Sequence, residues 1–163
     1  MKPLSYILCV MLLLPVILAA CKKASPEIAP SQLPTFRKDG TLEVIGADGK
    51  TKATFDIEIA DTQETLQQGL KNRESMADNQ GMLFIMDGET SHPFWMQDTY
   101  LSLDIIFIDH QKTVFQIAEN TKPFSEDMIN PTKLNNYTFE VKAGIARKLN
   151  ITEGDTVKWQ RSK

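Results

Sequence analysis

One ten-residue segment, TKATFDIEIA at 51–60, constrains the fold more than any other part of the sequence. Its apolar residues, which include Phe55 and Ile57, alternate with polar ones. Successive side chains of an extended chain point to opposite faces, so this period of two predicts a β-strand with one buried and one solvent-facing side. A short apolar stretch before it ends at the glycine-containing turn 46–49, and together they predict a hairpin over 41–60.

The same strand signals recur through the rest of the chain, bounded by turn-forming residues. The predicted strands cover 81–86, 94–96, 103–108, 113–118, 137–142 and 156–160. Residues 119–136 contain two prolines and show no period, which predicts a long irregular connection. Many short strands separated by turns are typical of antiparallel sheets. The sequence therefore predicts a mainly β fold: a compact antiparallel sandwich or barrel-like domain with one or two short helices.

Two segments are expected to be helical. Asp61 precedes Glu64 by three residues, the spacing of a capping box, in which each side chain meets the other residue's free backbone N–H. Leu66 and Leu70 then fall on one face of the predicted helix. Residues 144–149 are expected to form one or two further helical turns.

The N-terminal region has the layout of a secretory signal. Lys2 precedes a nearly unbroken apolar run at 4–18, which is shorter than the roughly 20 residues of a membrane-spanning helix. The sequence LAAC at 18–21 resembles a bacterial lipobox, which predicts cleavage before Cys21 and attachment of lipid to that cysteine. The alternative is an ordinary signal peptide followed by an incidental cysteine.

These features divide the chain into three parts. Residues 1–20 are the predicted lipoprotein signal peptide, the proline-containing segment 21–35 is a flexible tether, and 36–163 is a single β-rich domain. The membrane is the expected partner through lipidated Cys21, since each buried methylene of an acyl chain contributes about 0.8 kcal/mol. The expected location is the bacterial cell envelope, facing the periplasm or the exterior. Lys22 after the cysteine favours the outer over the inner membrane, because it resembles outer-membrane lipoproteins.

Cysteine and charge content exclude several classes of function. Cys9 lies in the predicted signal and Cys21 at the lipid site, so the mature domain would have no thiol for a disulfide, a nucleophile or a thiolate metal site. The formal net charge is −3, and no basic cluster is longer than Lys22-Lys23. Nucleic acid is not an expected partner, since phosphate contacts need many basic residues on one face. No phosphate loop, nucleophile elbow or zinc-protease motif occurs, and no cofactor is predicted.

The order and spacing of several short motifs resemble one known family. The motifs are GLKNR, NQGMLFIM, FWMQDT, LDIIFID and FEVKAGIARKLNI, and the similarity spans about Ala53 to Lys158. Together they resemble the domain of unknown function 192 family. The resemblance implies a compact, mostly β domain in secreted or membrane-anchored proteins, with no established reaction. The chain departs from the family pattern at Asp98, where an amide is usual, and at Ser102, where a proline is usual.

An acidic residue in the otherwise apolar strand LDIIFI marks the candidate site. An inward-facing carboxylate such as that of Asp104 costs several kcal/mol unless it is paired or hydrogen-bonded. The predicted ligand-binding rim consists of Arg73, Trp95, Asp98, Thr99 and Asp104. The structural alternative is that Asp104 binds backbone N–H groups of the neighbouring loop or pairs with Arg73. Phe94 must point away from its neighbour Trp95 in a strand, so Phe94 is expected in the core.

The expected function is a non-catalytic binding or accessory role toward a small polar or carbohydrate-like ligand, a cell-wall fragment or a peptide. Two alternatives remain open. Asp98 and Asp104 could serve as the acid and base of an envelope hydrolase if their carboxyls lie about 5–9 Å apart. Thioether and imidazole ligands could instead bind Cu(I). The candidate copper ligands are Met82, Met86, Met96 and His92. Met82 and Met86 also suit ordinary core packing, since their spacing in a strand places both on one face.

Overall fold

The computed structural model describes residues 34–88 and 90–163. The predicted signal peptide, the lipid site at Cys21 and all but the end of the tether lie outside these residues. The predictions made for them remain predictions.

Seven strands and two short helices occur in the described part of the chain. In order they are β1 (Gly40–Ile45), β2 (Thr51–Ala60), α1 (Gln63–Gln68), β3 (Gln80–Ile85), β4 (Leu103–Ile108), β5 (Val114–Ala118), β6 (Tyr137–Lys142), α2 (Ile145–Lys148) and β7 (Thr156–Arg161). The predicted hairpin of β1 and β2 is confirmed.

The strands form one sheet in the order β5-β4-β6-β3-β2-β1-β7. Neighbours are antiparallel except β2 and β3, which are parallel, with α1 in the connection between them. The sheet curls, so that the two outer strands approach each other at one end. Thr113 and Thr156 form a bridge there, and Val114 N donates to Asp155 O at 2.8 Å. The prediction of a mainly β domain with one or two short helices is confirmed, and the curled sheet, a half-barrel, corresponds to the barrel-like form.

Both faces of this sheet are covered by apolar side chains. One buried cluster draws on all seven strands and on α2, and includes Leu42, Phe55, Leu83, Ile106, Val114, Phe139, Ile145 and Val157. A second cluster includes Leu70, Met82, Phe84, Met96, Ile105 and Phe107, and Leu66 of α1 packs against it. All six residues of β4 are buried. Burial on both faces explains why the strand at 103–108 is apolar throughout, apart from its aspartate.

The predicted strand at 94–96 is wrong. Phe94 makes only an isolated bridge, in which its N donates to Ile129 O at 3.0 Å and its O accepts from Ile129 N at 2.7 Å. Met96 N donates to Ser125 O at 2.9 Å. The partners of this segment lie in the irregular connection 119–136 rather than in a strand, so no ladder can extend from it.

The predicted cap of the first helix is wrong by one residue. Thr62, not Asp61, is the N-cap: its Oγ1 accepts from Thr65 N at 3.2 Å, and Thr65 Oγ1 accepts from Thr62 N at 3.0 Å. The two hydroxyls thus form the reciprocal capping box that was predicted for the Asp61 and Glu64 carboxylates, with both backbone donors one residue later. Asp61 instead forms an ion pair with Arg161 of β7.

Candidate ligand-binding cleft

A cleft of about 540 Å³ opens between α1 and the segment 92–99, on the face of the second apolar cluster. Its apolar lining includes Leu66, Leu70, Phe84, Phe94 and Trp95, and its polar lining includes Lys71, His92, Gln97, Thr99 and Glu140. Mostly apolar walls with a few polar groups are typical of small-molecule sites, and this volume lies in their usual range.

Glu140 is the unusual member of this lining. It lies in the middle of β6, opposite Met82 of β3 on one side and Ile105 of β4 on the other. The residue is only 4% exposed, and burial raises the pKa of its carboxyl to about 8. No hydrogen bond or ion pair from the described residues offsets that burial. At neutral pH this carboxyl is therefore mostly protonated.

The sequence did not single out Glu140. In YTFEVK the acid alternates with Phe139 and Val141, which predicts an ordinary solvent-facing position. The structure places β6 between β3 and β4, where both faces of the strand are covered. An acid known to lie on an interior strand would have indicated a candidate site, but the local sequence pattern does not reveal the order of strands in the sheet.

Asp104 lies on the opposite face of the sheet from the cleft. Its β4 position pairs with Val141, whereas the neighbouring Ile105 pairs with Glu140. The side chain is fully buried; Oδ1 accepts from Asn120 N at 2.9 Å and Oδ2 accepts from Ala146 N at 3.0 Å. Both carboxylate oxygens therefore bind main-chain N–H groups, one in the long connection and one in α2. This arrangement agrees with the structural alternative stated above.

Arg73 also has a different partner from the one predicted. Its Nη2 donates to both oxygens of Glu58, at 3.0 and 2.7 Å, and the side chains of this pair are 5% and 6% exposed. The alternative in which Asp104 pairs with Arg73 is wrong, because Arg73 follows α1 in the β2–β3 connection and pairs with the acid of β2. Among the described residues, Arg73 Nε is a buried nitrogen without a hydrogen-bond partner.

Two of the five predicted rim residues line the cleft. Trp95 lies at the edge of the cleft and is 43% exposed, and Lys71 Nζ is 5.6 Å from the centroid of its ring. Thr99 is buried, and its hydroxyl donates to Gln97 O at 3.1 Å. Asp98 is exposed next to the cleft and does not line it. The structure therefore brings Trp95 and Thr99 together but separates them from Arg73 and Asp104.

The two carboxylates of the hydrolase alternative do not share a cleft. Asp98 is exposed in a loop with φ +54°, and its carbonyl accepts from Asn72 N at 2.8 Å. Asp104 is enclosed, with both oxygens engaged. An acid and base must reach the same substrate bond, and this geometry offers these two no common approach.

The proposed copper ligands belong mainly to the apolar interior. Met82, Met86 and Met96 are at most 8% exposed and pack in the second cluster. His92 Nε2 lies 2.8 Å from Thr90 Oγ1. The described residues contain no group of three or more His, Cys, Asp or Glu side chains placed to hold a metal ion.

The fold and the cleft define a small β domain of the half-barrel type. The chain belongs to the domain of unknown function 192 family (DUF192, "Uncharacterized ACR"), whose sequence model matches residues 44–159. No protein with a curated function matches it. Within the described residues, no helix is long and apolar enough to cross a membrane.

Two solved structures are similar to this chain. One is a protein of Sinorhizobium meliloti described as a "putative transcription regulator", with 32% identity and a TM-score of 0.72 over 77% of this chain and 97% of that one. The other is a protein of unknown function from Novosphingobium aromaticivorans, with 30% identity and a TM-score of 0.69 over 84% of this chain and 94% of that one. Both similarities extend over nearly the whole of the other protein.

Proposed function

We propose that the protein is a lipid-anchored binding module of the bacterial cell envelope, and that it holds a small ligand in the cleft above Glu140. The observation that carries this proposal is the buried carboxyl of Glu140 at an open cleft with apolar walls. A desolvated acid costs stability unless something compensates for it, and such acids are concentrated at functional sites.

The cleft favours binding over catalysis. Its walls offer a large apolar surface, and Glu140 supplies one polar anchor deep inside. Trp95 and Thr99 at the rim remain candidate contacts from the predicted set, and an exposed indole suits the apolar face of a ring-shaped ligand. Arg73 and Asp104 would support the site only indirectly, since their charged groups are already engaged.

The description of the S. meliloti protein suggests a different role, regulation of transcription. The formal net charge of −3 does not favour direct binding of nucleic acid by this chain. The cleft itself is suited to a small molecule.

The cleft proposal is tested by mapping small aromatic probes onto the domain by NMR. Probes at millimolar concentration should shift amide signals around Phe94, Trp95 and Thr99, and Trp95→Ala should weaken this binding. Tyr100→Ala is the matched control, because Tyr100 is an exposed aromatic that does not line the cleft. Shifts spread evenly over the surface, or equal effects of both variants, would contradict the proposal.

The anchoring proposal rests on the LAAC sequence at 18–21 and is tested separately. Cells producing the full chain are labelled with a fatty acid and fractionated. The wild type and Cys9→Ser should carry label and sediment with membranes, whereas Cys21→Ser should lose the label. A labelled Cys21→Ser protein would show that this cysteine is not the site of lipid attachment.

A further inference from the structure

We infer that the cleft binds organic ammonium compounds, with the cationic nitrogen beside the Glu140 carboxyl and the carbon skeleton against the aromatic wall. This inference rests on the proposed binding function and specifies its ligand class.

The first argument is a contrast between two buried acids on the same face of the sheet. Glu58 of β2, Met82 of β3, Glu140 of β6 and Ile105 of β4 are consecutive partners across the strands, so their side chains form one row. Both glutamates are 4% exposed. Both oxygens of Glu58 accept from Nη2 of Arg73, but no described residue supplies a cation to Glu140. A ligand that brought its own cation would give Glu140 the partner that Glu58 already has.

The second argument concerns the other ionisable groups of the cleft. The side chains in question are Asp61, Lys71, Asp87 and His92. Lys71 is engaged at the rim, where its Nζ donates to Gln97 Oε1 at 3.2 Å and lies over the Trp95 ring. None of these groups contributes to the raised pKa of Glu140, which comes from burial. On the flanking strands, its partners Met82 and Ile105 are apolar. Within the described parts of the chain, the floor of the cleft thus has no cation of its own.

The third argument is the composition of the walls. Phe84 and Phe94 lie edge to face with centroids 5.0 Å apart, and Trp95 continues the aromatic lining to the rim. Aromatic faces attract cations, most strongly where water is excluded. The rim already holds one ammonium in this way, since Lys71 Nζ lies 5.6 Å from the Trp95 centroid. A buried acid and aromatic rings that line the same cleft suit an alkylammonium or arylalkylammonium group.

The competing ligand is a neutral hydrogen-bond acceptor, to which protonated Glu140 would donate. The two cases differ in their proton balance. Near neutral pH, an ammonium ligand needs the carboxylate, so Glu140 must release its proton to the buffer as the complex forms. A neutral ligand leaves the proton in place. Proton release on binding therefore separates the two ligand classes.

The experiment compares benzylamine with benzyl alcohol, which share a ring and differ in charge. Binding to the purified domain is measured by isothermal titration near neutral pH, in two buffers with different ionisation enthalpies. Benzylamine should bind at least about tenfold more tightly and release about one proton per molecule bound. Glu140→Gln should abolish both the preference and the proton release, whereas Tyr100→Ala should change neither. Amide spectra confirm that each variant is folded.

The outcomes separate this inference from the proposed function. If benzyl alcohol binds in the cleft and benzylamine binds no more tightly, the ammonium inference is wrong and the binding function stands. If neither compound perturbs the cleft, the proposed function itself fails. Binding of benzylamine without proton release, or unchanged in Glu140→Gln, would place the cation elsewhere and overturn the inference.

Discussion

Replacing Glu140 by glutamine should remove a large pH dependence of stability. In the unfolded chain its carboxyl ionises near the ordinary pKa of 4.5, whereas in the fold burial raises the pKa to about 8. Below about pH 4.5 both states hold the proton, and the acid costs nothing extra. As the pH rises from there, the unfolded chain ionises first, so the free energy of unfolding falls until the folded protein also ionises near pH 8.

The magnitude follows from the size of the pKa difference. Each unit corresponds to about 1.4 kcal/mol, so the rise of the pKa from 4.5 to about 8 implies a total loss of roughly 5 kcal/mol. Between about pH 5 and pH 8 the loss should be roughly 3 to 4 kcal/mol. Glutamine has nearly the same shape and does not ionise, so the variant should lack this contribution while keeping those of the other groups.

Urea unfolding of both proteins at several pH values measures this difference. The stability of Glu140→Gln relative to the wild type should increase steadily from acid to mildly alkaline pH, and the constant difference between amide and protonated acid cancels in the comparison. A difference that stays flat within about 1 kcal/mol over this range would show that the acid is solvated or paired in solution, and the ligand argument would lose its basis.

Three further substitutions test contacts elsewhere in the domain. Asp104→Asn should lower the free energy of unfolding by about 2 to 3 kcal/mol, because one of two bound main-chain N–H groups would face an amide NH₂. Benzylamine binding should be unchanged. A loss of stability below about 0.5 kcal/mol would contradict the structural role of Asp104. Arg73→Ala should lower the free energy of unfolding by about 3 to 5 kcal/mol, because Glu58 would stay buried without its cation. In thermal denaturation, the double variant Arg73→Met with Glu58→Gln should recover most of this stability. Equal losses of stability in the two variants would refute the pairing. In urea unfolding, Thr62→Ala should lower the free energy of unfolding by about 1 kcal/mol. Asp61→Ala should lower it by less, since only an exposed ion pair is lost. A larger loss for Asp61→Ala would indicate that Asp61 is the N-cap.

Most strands could be predicted because their evidence is local. The alternation at 51–60 and the apolar run at 103–108 depend on the faces of one strand, which the sequence records directly. The parallel pairing of β2 with β3 and the place of β6 between β3 and β4 depend on partners that are distant in sequence. The local sequence pattern does not identify these partners. The cap at Thr62 was missed because neighbouring residues offered two equally good spacings of polar side chains.

The site was only partly predictable for the same reason. The sequence indicated that an acid in β4 must be paired or hydrogen-bonded, but the two N–H groups that bind Asp104 are 16 and 42 residues away in sequence. Of the predicted rim, Trp95 and Thr99 line the cleft, whereas Arg73, Asp98 and Asp104 do not. Glu140 was missed because an acid in an alternating strand has an ordinary explanation until the sheet order shows that the strand is interior.

The join between the outer strands of the curled sheet has a consequence for crowding. Val114 N donates to Asp155 O, Gly154 N to Val114 O, and Val157 N to Lys112 O. Part of the edge of β5 and part of the edge of β7 are therefore already hydrogen-bonded. Unpaired strand edges can hydrogen-bond to a second chain and so begin aggregation. The lipid anchoring proposed above would concentrate the protein on a surface, where its copies meet far more often than in bulk solution. At this end of the sheet, these backbone groups bond to each other and are not available to a second chain.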